Sequence, residues 1–293
     1  MRVTQQNMVR QALLRLEERN ENMDRLSRAI STGKDVVNPS DSPNRYHRSA
    51  RMKETLMQHE QHSKTIQNSL AWLQTSEEAL VTLNDLALEA RDIAFKGADA
   101  TTDDSVLASL AERIGGILDE TIDVFNSNYL GKAVFAGSDT DLSTPFELTN
   151  GQVGYAGNGD GLQRSVGSSM KVMINVSGEE LLNTGLSTAL LDLQAALQSQ
   201  DRTAISETID GLKNASESVL SLSASVGSRQ SILNSTLRRI ESIDLNLASF
   251  ISDEEDTDLA EAIVKLESEQ NAYSAALRTT ADITQLNIMQ YFR

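Results

Sequence analysis

Apolar and small residues recur at alternating steps of three and four over most of the chain, and this spacing predicts long helices packed lengthwise. Residues 3–32 place Val9, Leu13, Leu16, Asn20, Met23, Ser27 and Ile30 on one heptad seam, with Asn20 and Ser27 as polar interruptions. Gly33 suits a helix C-cap. The run Asn38-Pro39-Ser40-Asp41-Ser42-Pro43 then ends the helix, because each proline biases its predecessor away from helix. Gly33, Pro39 and Pro43 therefore form a predicted hinge, with Ser42 capping the next helix and Pro43 opening it. That helix spans about 44–96 through Met52, Leu56, His59, Ser63, Ile66, Leu70, Leu73, Leu80, Ala87 and Ala94. At ~1.5 Å per residue it would extend about 75 Å. After a break at 97–104, Val106, Leu110, Ile114, Ile117, Thr121, Val124 and Asn128 predict another amphipathic helix, weakened at Gly115-Gly116.

The pattern changes in the middle. Ten of the sixteen glycines fall between Gly131 and Gly185. There the spacing predicts short strands at 132–136, 146–148 and 171–176, separated by Gly, Asn and Asp turns. Helix resumes at about 187, and a seam of Ile205, Ile209, Leu212, Ser216, Val219, Ser223, Val226, Gln230, Leu233, Leu237, Ile240, Asp244, Leu247 and Ile251 keeps the same alternation. The acids of 253–258 interrupt it and open a new helix, where the helix dipole favours negative charge. Its seam is Leu259, Ile263, Leu266, Tyr273 and Leu277, drifting to Ile283 and Leu286. An isolated long amphipathic helix leaves its stripe wet, so the helices flanking the insert must pair. The expected fold is mainly α: a long antiparallel, coiled-coil-like helical rod built from N- and C-terminal segments, with a small β-rich insert. Residues 1–40 with 253–293 form an inner tier, disordered in the monomer. Residues 41–129 with 186–252 form the rod, and 130–185 the insert.

Charge sharpens the pairing. Residues 1–53 hold eleven Lys/Arg and six Asp/Glu, net 11 − 6 = +5, whereas residues 251–293 hold three and nine, net 3 − 9 = −6. Contacting helices use opposite signs of this kind to choose one another. The chain as a whole carries a formal net charge of −16, which disfavours nucleic acid and anionic lipid as partners. Cysteine is absent, which removes disulfides, thiolate metal sites and Cys nucleophiles together. No apolar run approaches a membrane span, and Met1–Asn7 lacks the profile of a cleaved signal peptide. Aromatic content is 4%, which suits an architectural protein better than a compact α/β enzyme.

Candidate chemistry is thin. His59 and His62 lie three apart on one helix, but no third ligand set accompanies them and His59 falls on the seam, so packing accounts for it better than a metal. The run from Gly154 to Gly161 lacks GxGxxG spacing and a following Lys-Ser/Thr, and tight turns explain it. The acids of 253–258 lack the ligand alternation of a calcium loop, and helix capping is the better account. No GxSxG elbow is present, and lengthwise helices offer few deep clefts, so no catalytic, cofactor or metal residue is assigned. The two terminal seams are compatible with a plain intramolecular coiled coil, or with helices that order only among neighbouring subunits.

Leu26-Ser27-Arg28-Ala29-Ile30-Ser31-Thr32-Gly33-Lys34, followed by Asn38-Pro39-Ser40-Asp41-Ser42-Pro43, resembles the N-terminal signature of bacterial flagellins and their hook-associated relatives. Asp256-Thr257-Asp258-Leu259-Ala260-Glu261-Ala262 and the helix through Gln285 resemble the matching C-terminal signature, and Val226–Gln230 a turn region before the last rod helix. The ending Gln290-Tyr291-Phe292-Arg293, with Val134–Thr140, Thr144-Pro145-Phe146 and Val153–Asn158, is similar to the hook–filament junction branch of that superfamily. One departure is Asn44-Arg45-Tyr46-His47, where the branch has small residues. The resemblance implies a non-enzymatic flagellar component without cofactor, exported by the flagellar type III system. It would form a homo-oligomeric ring at the extracellular hook–filament junction, between a hook-associated protein and flagellin, after a cytoplasmic export chaperone has held its C-terminal helix. The terminal seam residues would then be its assembly surface. A short filament flagellin is the alternative within the class, and a cytoplasmic coiled-coil regulator the alternative outside it.

Overall fold

The computed structural model describes the backbone of residues 2–149 and 151–291, and the side chains of 7–149 and 151–281. In chain order it contains α1 (Arg2–Thr32), α2 (Pro43–Ala98), α3 (Asp104–Phe125), β1 (Asn128–Tyr129), β2 (Lys132–Ala133), β3 (Phe146–Thr149), β4 (Gln152–Tyr155), β5 (Gln163–Ser165), β6 (Lys171–Met173), α4 (Gly178–Leu182), α5 (Leu186–Gln198), α6 (Arg202–Glu255) and α7 (Leu259–Tyr291). The helices match the periodicity closely. The chain forms two compact units, one of residues 1–58 with 242–293 and one of residues 59–241. The terminal unit thus takes in the start of α2 and the end of α6 as well as the expected tier.

In the terminal unit α1 packs along α7. Gly33 meets Thr257 while Arg19 meets Glu269, so the pair is antiparallel, and it joins the two segments of opposite net charge. The side chains of α1 turned inward are Val9, Ala12, Leu16, Arg19, Asn22, Met23, Leu26, Ala29 and Ile30. Leu13 is 55% exposed, and Asn20 and Ser27 are exposed too, so one line of the expected seam moves by a residue to Ala12, Arg19 and Leu26. The same shift occurs in α7: Ala262 and Ala276 face inward beside Leu266 and Tyr273, leaving Ile263 and Leu277 outside. Alanines at these steps let two helices approach closely, and interaxial distance follows the side chains at the contact.

The central unit is built on strict sevens. Ile66, Leu73, Leu80, Ala87 and Ala94 of α2 are buried, as are Ile205, Leu212, Val219, Val226, Leu233 and Ile240 of α6. Ser69, Ser76, Leu83 and Ala90 are buried at the intermediate steps of α2, and a Cβ at Gly97 would stand 2.8 Å from Leu197. α3 packs on α5 through Leu107, Ala111, Ile114, Ile117 and Leu118; Val106, expected inside, is exposed because the apolar face begins one residue later. Gly115-Gly116 do not break α3, and Gly115 admits the Gln194 amide, which would lie 2.9 Å from an added Cβ. Val226–Gln230, expected as a turn, lie inside α6. There Val226 is buried, Arg229 donates to the Asn175 carbonyl, and Gln230 donates to Glu77 at 2.8 Å. These interactions satisfy the segment better as helix.

The insert consists of three antiparallel hairpins, β1–β2, β3–β4 and β5–β6. Strands at 132–133, 146–149 and 171–173 fall where predicted, though Val134-Phe135-Ala136 are buried without being strand. Scarce aromatics collect here. Phe146 packs between Phe125 (5.0 Å) and Tyr155 (4.8 Å), and Trp72 meets Tyr129 edge-on at 6.0 Å. Gly178 lets Tyr155 close over the start of α4; an added Cβ would lie 2.2 Å from the tyrosine ring.

Candidate assembly interface

The linker between α1 and α2 is pinned to the joint between α6 and α7. Gly33 takes φ +73, ending α1 in the left-handed conformation that glycine tolerates. Its carbonyl accepts the Thr257 N–H at 3.0 Å, Lys34 bridges Asp256 antiparallel, and the Glu255 carbonyl accepts the Asp35 N–H at 2.7 Å. Asp41 accepts the N–H groups of Asn38 (2.7 Å) and Val37 (3.1 Å), and these bonds hold its carboxyl below the usual range. Pro39 is exposed in this turn. Pro43 opens α2, and the Ser42 carbonyl accepts the Tyr46 N–H at 2.9 Å. The predicted hinge residues are thus all at the linker, with Gly33 at its fastened end.

Acids and bases lock this joint. The Glu255 side chain is 4% exposed and receives Lys34 at 2.7 Å, with Lys53 and Ser49 on its other oxygen. Burial alone would push the Glu255 carboxyl up, but the hydrogen bonds from Lys34, Lys53 and Ser49 outweigh it and hold the group at about 2. The hydrogen bond to Glu255 likewise raises Lys34 above its ordinary value. Glu254 takes both Arg48 nitrogens at 2.8 Å, and Arg45 spans Asp35 (2.7 Å) and Glu254 (3.8 Å). Arg45 thereby gives a structural use to the segment that departs from the junction branch. Of the acids at 253–258, Asp258 caps α7, accepting the Ala260 and Glu261 N–H groups at 2.9 and 3.1 Å. Glu254 and Glu255 serve the joint instead. The acidic run and the basic N-terminal excess carried that signal, which capping logic alone passes over.

The predicted assembly residues separate into two sets. Val9, Leu16, Met23, Ile30, Leu266 and Tyr273 line the α1–α7 contact. Leu13, Leu259, Ile263 and Leu277 are between 46% and 55% exposed, and Met8, Leu14 and Val264 are exposed still further. Ile283 and Leu286 lie outside the described side chains. Among the described residues no group of His, Asp or Glu is arranged to hold a metal ion, and no helix is long and apolar enough to cross a membrane. The run 154–161 supplies turns, with Asn158 Oδ1 accepting the Ser138 N–H at 2.9 Å. The chemistry on offer is therefore cohesive rather than catalytic: an ionic clasp beside apolar helix faces open to other chains.

Comparison with known proteins gives the same picture. Residues 3–140 match the family described as the bacterial flagellin N-terminal helical region. Flagellar hook-associated protein 3 of Salmonella typhimurium is 26% identical over 322 residues, covering 100% of both chains. Bacillus cereus FlgL shares the fold with a TM-score of 0.61 at 19% identity, over 69% of this chain and 99% of that one. The flagellar junction protein FlgL from Legionella pneumophila gives 0.57 at 12% identity, over 71% and 100%. With its N-terminal helices matched to the bacterial flagellin N-terminal helical region over residues 3–140 and a relative aligned from end to end, the chain is homologous along its whole length to flagellar hook-associated protein 3.

Proposed function

We propose that the chain is a non-enzymatic structural subunit of the bacterial flagellum, joining hook to filament as a ring of adaptor copies. The observation that carries this reading is the outward turn of Leu13, Ile263, Val264 and Leu277 on a helix pair whose own contact is already lined by Leu16, Met23, Leu266 and Tyr273. Apolar side chains left on both members of a pair are surface for further helices. Flagellin on one side and a hook-associated protein on the other are the partners this role requires, with export through the type III system and a cytoplasmic chaperone on α7 beforehand. Electron microscopy with a gold-labelled antibody tests the assignment. Label confined to the hook–filament boundary is expected; label along the filament would make the protein a filament subunit, and its absence from sheared flagella would place it off the organelle.

On the same reading, residues 1–40 and 253–293 become rigid only within the ring. Limited proteolysis of the dilute subunit should trim both ends to about Pro39 and Asp253 and leave a resistant centre. Resistance over the full length would refute order on assembly.

A further inference from the structure

The tip of the β1–β2 hairpin holds a strained leucine that nothing in the subunit rewards. Tyr129 pairs with Lys132, so Leu130 and Gly131 alone make the turn. Their φ angles are +51 and +78. Two positive φ angles are what a two-residue type I′ turn demands, and Asn-Gly, Asp-Gly or Gly-Gly normally supply them. A branched aliphatic side chain is strained in that conformation. Gln200, the other non-glycine residue with positive φ, ends α5, where a left-handed residue closes the helix. Leu130 has no such role. It is 86% exposed, more than any other large apolar side chain among the described residues. Strain without an internal benefit points to a contact outside the chain.

A complementary groove lies on the same unit. α5 and α6 run close enough that a Cβ at Gly211 would stand 3.8 Å from that of Ala189. Along them opens a cavity of about 860 Å³ lined by Ala189, Ala195, Ala196 and Gly211, together with Asp192 and Glu207. Both acids are exposed, and neither has an ion-pair partner among the described residues. Leu130 does not line this groove, so the subunit leaves its own groove unfilled. The hairpin tip presents an aliphatic side chain beside Lys132, whose one acidic neighbour is an exposed Asp141 at 3.7 Å. Apolar with basic on the tip answers apolar with acidic in the groove.

We infer that the Leu130–Lys132 tip of each subunit seats in the α5–α6 groove of a second copy. Leu130 enters among the alanines, and Lys132 pairs with Glu207 or Asp192. Because tip and groove are different surfaces of one chain, the contact is head-to-tail, the kind whose repetition builds a ring when the rotation closes. The inference rests on the ring reading and adds a contact to it within the central unit.

Leu130→Gly separates strain from contact. The purified subunit should melt about 2–4 °C higher, because glycine relieves the turn. In cells producing the variant, retention of filaments on hooks under shear should fall about tenfold, as for the loss of one central interface anchor. Leu130→Asn, which also tolerates the turn, should behave alike and stands in if the glycine variant is poorly produced. Unchanged retention, or an unchanged melting temperature, would overturn the inference. Charge exchange identifies the occupant. Lys132→Glu and Glu207→Lys should each weaken retention, and the double variant should restore it to within about twofold, as coupled charges across an interface do. Failure of the double variant to recover excludes a second copy in the groove. Antibody label at the hook end of Leu130→Gly cells would leave the junction role standing if the tip assignment fails.

Discussion

The two compact units are held together by different physics. Among the described residues, 59–241 bury forty apolar side chains, whereas the terminal unit buries four: Leu16, Ala29, Val36 and Ala262. A fully buried Val, Leu or Phe contributes roughly 1.5–3 kcal/mol. Exposed ion pairs contribute about 0–1 kcal/mol each. The central unit therefore stands on its core. The terminal unit leans more on a clasp of charges around Glu254 and Glu255. On the α1–α7 pair Leu13, Leu14, Ile263 and Val264 stay exposed, beside an inner contact that mixes alanines with Leu16, Met23, Leu266 and Tyr273.

The largest effect expected of a single change lies in the central unit. Phe146 is buried between Phe125 and Tyr155 and ties the β3–β4 hairpin to α3. Phe146→Ala should cost about 3–5 kcal/mol, the usual price of an aromatic cavity, measured by denaturant unfolding of the purified subunit. Leu16→Ala, in the terminal unit, should move the same transition much less. Equal losses would mean that the terminal pair is as firmly packed as the centre, and the contrast between the units would fail.

Most of the helical plan was legible because a period of seven repeats long enough to outweigh local noise. Residues 66–94 and 205–240 illustrate this, where every seventh position is buried. The pairing of the chain ends was legible from charge. Which flank of a seam faces inward was not: Leu13 and Ala12 are neighbours, and hydrophobicity favours the leucine. The choice depends on how closely two helices approach, a property of the pair rather than of either sequence. The insert was only partly legible, because hairpins this short owe their place to tertiary contacts such as Phe146 on Phe125. The Glu255 clasp joins residues about two hundred positions apart, and an acidic run at a helix boundary has a sufficient local explanation in capping. Leu130 escaped notice because leucine in a turn carries no sequence signal until its φ angle is known.

The smaller effects belong to the clasp. Glu255→Gln keeps the shape but removes the charge that Lys34, Lys53 and Ser49 address, which should cost about 1–3 kcal/mol locally. Hydrogen exchange should quicken at 33–36 and 255–257 while the amides of the central unit keep their protection. pH reaches the same interaction from outside. The Glu255 carboxyl is held at about 2 in the fold against an ordinary value of 4.5, so its stabilisation is complete above about 4.5 and is lost as pH falls from there toward 2. Lys34, raised in the fold, gives stabilisation complete below its ordinary 10.5 and lost as pH climbs above that. Exchange at the joint measured from pH 5 down to pH 2 should therefore accelerate beyond the intrinsic rate in the wild type and not in Glu255→Gln. Arg19→Ala, which removes the 2.7 Å pair with Glu269 further along the same helices, should cost only about 0.2–1 kcal/mol, because both side chains are partly in water. If the Arg19 variant loosened the ends as much as the Glu255 variant, the hold on the termini would be spread along α1 and α7 rather than gathered where the linker crosses the α6–α7 joint.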